Sequence, residues 1–339
     1  MVNRSLEEVF EAFDLQNVLI VGDVMIDSYV WGDVNRISPE APVPVLHTTK
    51  KEKRLGGAAN VAKNIQALGA SPFLCSVIGD DAEAYDFIKI LEQREIRTSG
   101  IIRSDRRHTT VKERLLSGSQ HMLRVDSEHL QEIDQDDEKK LLDKIKEFIP
   151  DINVIIFEDY DKGILNQRLI TETINLAKKF EVPTVVDPKK NNFLTYKDST
   201  LFKPNLKEIR EGLKMDFVST DMDSLKHAAE KLIDQMRLKL VMVTLSERGI
   251  YIKNKGESHH LPAHIRSISD VSGAGDTVTS IAALCLALGL VPEFIAALSN
   301  LGGGLVCEHQ GVVPIDKDNL LKEAKAEELK PSQAELPYF

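Results

Sequence analysis

The sequence is short of the features that mark several protein classes. It holds three cysteines in 339 residues, Cys75, Cys285 and Cys307. They are odd in number, widely spaced and without a CxxC pair, so neither a disulfide framework nor a zinc site is indicated, and a reducing compartment fits best. Positive charge is also scarce: 43 Lys and Arg against 53 Asp and Glu give a formal net charge of −10. Nucleic acid and anionic membranes select clustered positive charge, so neither is expected as a partner, and a small molecule or another protein is. No apolar run reaches the ~18 residues of a spanning helix. The opening MVNRSLEEVFEAF has charges where a signal peptide has an apolar core, so a cytoplasmic protein is expected. Two nucleotide signatures are missing as well. There is no GxxxxGK[ST], and GxGxxG fails at 273–278, where Val278 holds the last position, and at Gly56-Gly57, so neither a P-loop nor a dinucleotide fold is expected.

What is present points to an α/β core. With 42% apolar residues the chain can build a substantial interior. Short runs rich in Val and Ile occur at 18–22 (VLIVG), 154–157 (VIIF), 184–186 (TVV) and 240–244 (LVMVT), separated by helical periodicity at 60–68, 167–180 and 222–236. Strands apolar on both faces that alternate with helices predict a parallel sheet covered on both sides. Two regions break the rhythm, 31–54 and 98–126, where strand-like alternation runs against polar and charged partners. They predict one small antiparallel sheet, made from two insertions, over the mouth of the core. No internal repeat or low-complexity linker divides the chain, so a single domain over 1–339 is expected, with lid segments at 31–56 and 98–127. The tail from Lys322, rich in Lys, Glu and Pro, is expected to fray or dock loosely.

In an open parallel sheet, ligands bind outside the carboxyl ends of the strands, so the loops there carry the chemistry. DVSGAGDT at 270–277 directly precedes the apolar stretch VTSIAALCLALGLV. Gly273, Ala274 and Gly275 leave backbone N–H groups unobstructed, and a helix that starts there offers unpaired amides and a positive dipole end to an anion. Asp276 then lies in the first turn. A carboxylate beside a bound phosphate is unfavourable unless it has a task such as taking a proton from an attacking hydroxyl, which makes Asp276 a candidate base; the alternative is an ordinary first-turn helix charge after a turn. In LGGAANVAKN at 55–64, Gly56 and Gly57 permit close backbone approach, and Asn60 and Asn64 share a helical face suited to polyol recognition or to plain solvation. Asp23 and Asp27 follow a buried strand, where a carboxylate accepts from adjacent sugar hydroxyls or ends a turn. Asn205 and Glu208 in KPNLKE share the start of a helix, either to orient waters around Mg²⁺ or to cap the helix. The polar residues of TLSERG at 244–249 sit where a nucleotide fits, or form a turn closed by Gly249.

Together these motifs resemble the ribokinase-like (PfkB) carbohydrate kinases. The likeness covers nearly the whole chain, from residue 17 to residue 315. It rests on Gly56, Gly57, Asn60, Ala62, Gly69 and Gly79 in one motif, DVSGAGD in the other, and Asn205 and Glu208 between them. Within the family the chain most resembles kinases of heptose 7-phosphate, a domain fused in many bacteria to an adenylyltransferase. The stretches that carry this are GDVMIDSYVWG, RISPEAPVPV at 36–45, GGAANVAKN, SQHMLRVDSE at 119–128, DYDKG at 159–163 and VDPK at 186–189. RISPEAPVPV is the most telling, because most sugar kinases lack it.

The resemblance implies a three-layer, doubly wound, mostly parallel sheet with an inserted β lid that pairs two copies into a homodimer. It implies Asp276 as base and the amides of 273–276 as an anion hole. Asn205 and Glu208 would organise Mg²⁺ and ATP phosphates, with Glu208 acting through water, and Thr244, Glu247, Gly249 and Asn300 would flank the nucleotide. Asp27, Gly56, Gly57 and Asn60 would hold the sugar, with Arg114, Gln120, Arg124 and Lys189 near it or its phosphate. A monovalent-cation site near Asp270 belongs to the same likeness. No second catalytic domain fits in these residues, so the adenylyltransferase is expected as a separate protein. Three positions depart from the pattern: Glu158 before DY, Asp161 within DYxKG, and Leu245 in the TxSExG stretch. They bear on the identity of the sugar and leave open a kinase for another sugar, sugar phosphate or nucleoside. A non-catalytic sugar-phosphate sensor is the rival of another class.

Overall fold

The structure is a computed structural model and describes residues 4–118, 120–218, 220–264 and 268–334. The strands in chain order are β1 (Asn17–Gly22), β2 (Val24–Ile37), β3 (Pro44–Gly57), β4 (Ser71–Gly79), β5 (Ile101–Ser104), β6 (Val111–Ser117), β7 (Gln120–Ser127), β8 (Val154–Glu158), β9 (Thr184–Asp187), β10 (Leu201–Phe202), β11 (Leu240–Thr244), β12 (Ile250–Lys253) and β13 (Ser258–Leu261). The helices are α1 (Leu6–Phe13), α2 (Ala58–Ala67), α3 (Ala82–Gln93), α4 (Gln135–Phe148), α5 (Gln167–Lys179), α6 (Leu206–Leu213), α7 (Met222–Met236), α8 (Ala274–Ala287), α9 (Pro292–Val306) and α10 (Lys317–Ala326).

Nine strands form one sheet in the order β13-β12-β11-β10-β9-β8-β1-β4-β5. It is parallel from β11 to β5, and β12 and β13 turn back antiparallel at one edge. The unbroken apolar runs have a direct cause. In β1, Val18 and Ile20 enter one core while Leu19 and Val21 enter the other; in β8, Val154 and Ile156 divide in the same way from Ile155 and Phe157. Each such side chain, fully removed from water, contributes about 1.5–3 kcal/mol. The first core is closed by α1, α2, α3, α8, α9 and α10, and the second by α4, α5, α6 and α7. Helix α8 is buried at every position from Asp276 to Leu286, so it is apolar all round rather than striped.

The small sheet has the order β3-β2-β6-β7. Both of its outer pairs are antiparallel hairpins, but its central pair, β2 with β6, runs parallel, which corrects the all-antiparallel expectation. The two insertions enter the sheet in the same direction, so the strands where they meet cannot oppose one another. The second insertion also divides: β5 joins the edge of the large sheet through β4, and only 111–127 enters the small one. Asp23 alone separates β1 from β2, so the small sheet springs from the carboxyl end of the parallel strands. The tail is less frayed than expected. Helix α10 docks on α1 through Lys325 and Glu7 at 2.7 Å, and Ala334 N–H bonds Gly289 O at 2.9 Å.

Candidate active site

The DVSGAGDT stretch becomes the turn before α8 and its first turn. Gly273 is the N-cap at φ 82°, in the left-handed region that favours glycine. The first helical bond runs from Thr277 N–H to Gly273 O at 3.1 Å, and Ala274 N–H turns back to Val271 O at 3.3 Å. Among the described residues the amides of Gly273, Gly275 and Asp276 have no partner, so three of the four expected anion-hole amides are free and that of Ala274 is engaged.

Asp276 is buried, and both of its carboxylate oxygens accept hydrogen bonds. Asn60 Nδ2 donates to Oδ2 at 2.6 Å and the Tyr160 hydroxyl donates to Oδ1 at 3.0 Å. Burial pushes its pKa up to about 6, the charge of Asp187 adds to the rise, and the two hydrogen bonds oppose it. The group is therefore ionised at neutral pH and more basic than an exposed aspartate, as proton abstraction requires. Asn60 in turn accepts from Lys63 Nζ at 3.2 Å through its side-chain oxygen. Asn64, read as a partner of Asn60 in polyol recognition, is consumed internally. Its oxygen accepts from Thr277 Oγ1 and Ile315 N–H at 3.1 and 3.0 Å, and its nitrogen donates to Asn60 O at 3.0 Å.

On one side of Asp276 opens a cavity of about 540 Å³. Lys189, Lys203, Asn205, Thr244, Glu247, Gly249 and Asn300 line it together with Gly273, Ala274, Gly275 and Asp276. Asn205 and Glu208 form a reciprocal capping box at the start of α6, with Asn205 Oδ1 accepting from Glu208 N–H at 2.9 Å and Glu208 Oε2 from Asn205 N–H at 2.8 Å. The capping alternative is thus realised in the geometry. The other oxygen of Glu208 pairs with Lys189 Nζ at 2.7 Å. Lys189 therefore stands on this wall, over the Tyr160 ring at 5.3 Å, rather than beside Asp27. Asp187 pairs with Lys203 at 2.8 Å and accepts from Thr279 Oγ1 at 3.2 Å. Burial opposes its ionisation, but Lys203 and Lys189 outweigh that and hold its carboxyl below the usual value.

These residues fit a magnesium nucleotide. Two lysines and free helix-terminal amides suit phosphates, and both Glu208 oxygens already hold donors, which leaves water-mediated contact to a metal. Among the described residues no group of three or more His, Cys, Asp or Glu side chains is placed to hold an ion. Mg²⁺ keeps its waters and relies on substrate phosphates, so it needs no such cage.

On the other side the small sheet presents Asp27, whose Oδ1 accepts from Arg114 Nη1 at 2.6 Å. A side chain at Gly56 would place a carbon 2.3 Å from Asp27 Oδ2, so the glycine makes room for this carboxylate. Gly57 is the N-cap of α2 at φ 57°. Arg54 and Arg114 both lie over the Tyr29 ring, at 4.8 and 5.3 Å. Gln120 and Arg124 are exposed on β7, the outer strand; Arg124 lies opposite Arg114 and is bonded to Asp126 at 2.8 Å, not to Asp27. Asp23, paired with Asp27 in the sequence reading, is structural: its carboxylate accepts the N–H groups of Tyr160, Lys162 and Ile164 at 2.7, 3.1 and 3.1 Å. Asp270 accepts the N–H groups of Ser272 and Gly311 at 2.9 and 3.0 Å.

Sequence reasoning missed Tyr160, Asp187, Lys203, Lys63 and Arg54. For Asp187 and Lys203 the signal was available, since each is a charged residue directly after an apolar run, at or just beyond the carboxyl end of a strand, where ligand loops begin. Of the departures, Glu158 is the most informative. It ends β8 fully buried, and neither carboxylate oxygen has a hydrogen-bond partner among the described residues. Burial, then the charges of Asp187 and Asp276, push its pKa well above the usual value.

A model of the pfkB family carbohydrate kinases matches residues 15–318. The bifunctional protein HldE of Geobacter sulfurreducens is 36% identical over 306 residues, 90% of this chain and 62% of that protein. HldE of Helicobacter pylori strain HPAG1 is 42% identical over 274 residues, 81% of this chain and 58% of its own length. The chain thus spans less than two thirds of these relatives. Among solved structures, phosphofructokinase-2 of Escherichia coli in complex with fructose-6-phosphate superposes with a TM-score of 0.76 at 17% identity, covering 92% of this chain and 98% of that one. Arabidopsis thaliana ribokinase with ribose and ATP gives 0.70 at 16% identity, covering 91% and 98%. The fold is ribokinase-like, and the chain belongs to the pfkB family of carbohydrate kinases.

Proposed function

We propose that the chain transfers the γ-phosphoryl group of Mg-ATP to the anomeric hydroxyl of heptose 7-phosphate, giving the 1,7-bisphosphate. The observation that carries the transfer is the placement of Asp276. A carboxylate made more basic by burial stands at the free amides of a helix start, with a phosphate-suited cavity on one side and a polyol-suited acidic and basic cluster on the other. In the step, the anomeric oxygen forms its bond to the γ-phosphorus while the bond from that phosphorus to the β–γ bridging oxygen breaks. The proton passes to Asp276, and ADP leaves with the bridging oxygen. Mg²⁺, when bound, shields charge on the phosphate oxygens. The free amides of 273–276 and Lys203 stabilise the same charge, while Asn60 and Tyr160 hold the base in place. Thr244, Glu247, Gly249 and Asn300 flank the nucleotide, and a monovalent cation near Asp270 belongs to this reading.

The heptose assignment rests on the RISPEAPVPV and GGAANVAKN stretches and on the HldE relatives. A substrate that already carries a phosphate needs cations to hold it, and Arg54, Arg114, Lys112 and Lys162 supply them around the small sheet. That sheet would act as a lid that keeps water from competing as acceptor. Its exposed Leu123 and Val125, at 58% and 44%, with Ile37 and Val43, suit pairing with a second copy. An adenylyltransferase acting later than the kinase step would be a separate protein in this reading.

ADP formation measured with heptose 7-phosphate, fructose 6-phosphate, ribose and a nucleoside tests the assignment, with phosphorus NMR of the product. The expected outcome is turnover with the heptose and a new anomeric phosphate. Preference for fructose 6-phosphate would replace the substrate, and no ADP with any acceptor would turn the reading to a sensor. Sedimentation of the wild type and of Leu123→Asp tests the lid pairing, with a dimer and a monomer expected in turn.

A further inference from the structure

Lys63 is a buried cation to which the phosphoryl-transfer reading gives no task. It lies in α2, 4% exposed. Among the described residues its hydrogen-bond partner is the side-chain oxygen of Asn60 at 3.2 Å, not a carboxylate. A buried ammonium that lacks a bonded counter-ion is costly. Burial pushes its pKa down to about 8, Arg94 and Arg54 add to the fall, and Asp27 and Asp276 oppose it. Such an arrangement persists where the cation does something that a packed apolar side chain would not.

The geometry of Asn60 shows what that is. A primary amide accepts through oxygen and donates through nitrogen, so whatever binds the oxygen decides where the nitrogen points. With Lys63 on Oδ1, the nitrogen faces Asp276 and donates at 2.6 Å. Turned over, the amide would set its oxygen against the carboxylate and its N–H groups against the ammonium, two repulsive contacts in a buried place. The backbone at this turn is also fixed, because Asn64 Nδ2 donates to Asn60 O at 3.0 Å.

We propose that Lys63 is a positioning residue for phosphoryl transfer: it locks the Asn60 amide in the orientation that donates to the base, and its charge favours the ionised form of Asp276. This rests on the reading of Asp276 as the base. The charged groups around Lys63, namely Asp27, Arg54, Arg94 and Asp276, remain in every variant below except where Asp276 is itself replaced.

The test uses the full chain, with ATP and the sugar phosphate that the acceptor panel selects, and compares Lys63→Met, Lys63→Arg, Asn60→Ala and Asp276→Asn. Lys63→Met is expected to lower kcat by about 10- to 100-fold, the effect of losing one hydrogen bond to a charged group, with KM for ATP unchanged. It is also expected to move the acid limb of the kcat profile to higher pH, because loss of a nearby cation and of an oriented donor both favour protonated Asp276. Lys63→Arg, which keeps a cationic donor, is expected to recover most of the rate. In an Asn60→Ala background Lys63→Met is expected to lower kcat little further above the acid limb, since positioning acts through Asn60, and to leave only the through-space shift of that limb. An acid limb that stays in place, or a full multiplicative loss in the Asn60→Ala background, overturns the proposal. If Lys63→Met does not fold, Lys63→Gln carries the same test through its acid limb. Turnover by Asp276→Asn would sink the base itself, whereas an inactive Asp276→Asn beside an unaltered Lys63→Met would sink only the role of Lys63.

Discussion

At the wall of the proposed base, Asn60 and Tyr160 each donate to Asp276, at 2.6 and 3.0 Å, and Asn60 and Asp276 are fully or almost fully buried. At the lid wall, Asp27 and Arg114 are tied at 2.6 Å, and farther out Arg124 has a side chain 57% exposed that is bonded, among the described residues, to its strand neighbour Asp126. The base wall is made from a buried helix start, a strand end and α2, which pack as one unit. The lid wall is a four-stranded sheet whose outer strand, β7, is exposed along its whole length. In the proposed reading, the groups that hold the reacting atoms sit where packing fixes them, and those that cover the substrate sit on the more exposed sheet.

If that contrast holds, replacement should cost most at the base wall and least at the outer lid. Asp276→Asn is expected to lower kcat by about 10²–10⁴ while ATP binding persists, checked by turnover and by nucleotide titration. For the wild type, kcat should rise as pH passes through about 6, because the proton-accepting form of Asp276 appears there. A flat profile in that range would separate catalysis from this carboxylate. Next comes Asp27→Asn, which leaves Arg114 without its ionic partner and removes a charged acceptor. It should lower kcat/KM by about 10- to 100-fold, mostly through KM for the sugar. Arg124→Ala should change kcat/KM by no more than about fivefold, since exposed pairs are worth about 0.2–1 kcal/mol. A loss at Arg124 as large as that at Asp27 would show that the lid closes further over the substrate and would erase the contrast.

Stability offers a finer comparison. Glu158 is buried, and its raised pKa means that the folded chain binds this proton more tightly than the unfolded chain does. Its contribution is therefore fully present below the ordinary value of 4.5 and is lost as pH rises above it toward the folded value. Glu158→Gln should raise Tm by about 2 °C in mildly alkaline buffer and leave it unchanged in acid buffer. A Tm that falls at both would mean that the carboxyl has a partner the substitution destroys.

Much of this was legible in the chain. The runs at 18–22, 154–157, 184–186 and 240–244 are apolar on successive residues, which only a sheet covered on both faces explains, and they appear as β1, β8, β9 and β11. DVSGAGDT was readable as a glycine-led turn into a helix with a carboxylate in its first turn, because glycine placement and helix polarity are local properties. The pairing inside the small sheet was not legible. Hairpins announce themselves locally, but the parallel meeting of β2 and β6 joins strands some eighty residues apart, and alternation does not encode direction. The docking of the tail was not legible either, because its polar composition says nothing of α1, with which α10 pairs through Lys325 and Glu7.

Sequence alone determined which residues could do chemistry here: small residues before a buried helix, an aspartate at its third position, amides and carboxylates after strands. Tertiary structure decided which of them meet. It turned Asn60 toward Asp276 and Asn64 away, set Lys189 on the cavity wall beside Glu208, brought Tyr160 onto Asp276 from 116 residues away, and left Arg124 exposed. The physical reason is that propensity and charge act along the chain, whereas the orientation of a hydrogen bond and the burial of a carboxylate depend on what the rest of the fold places beside them.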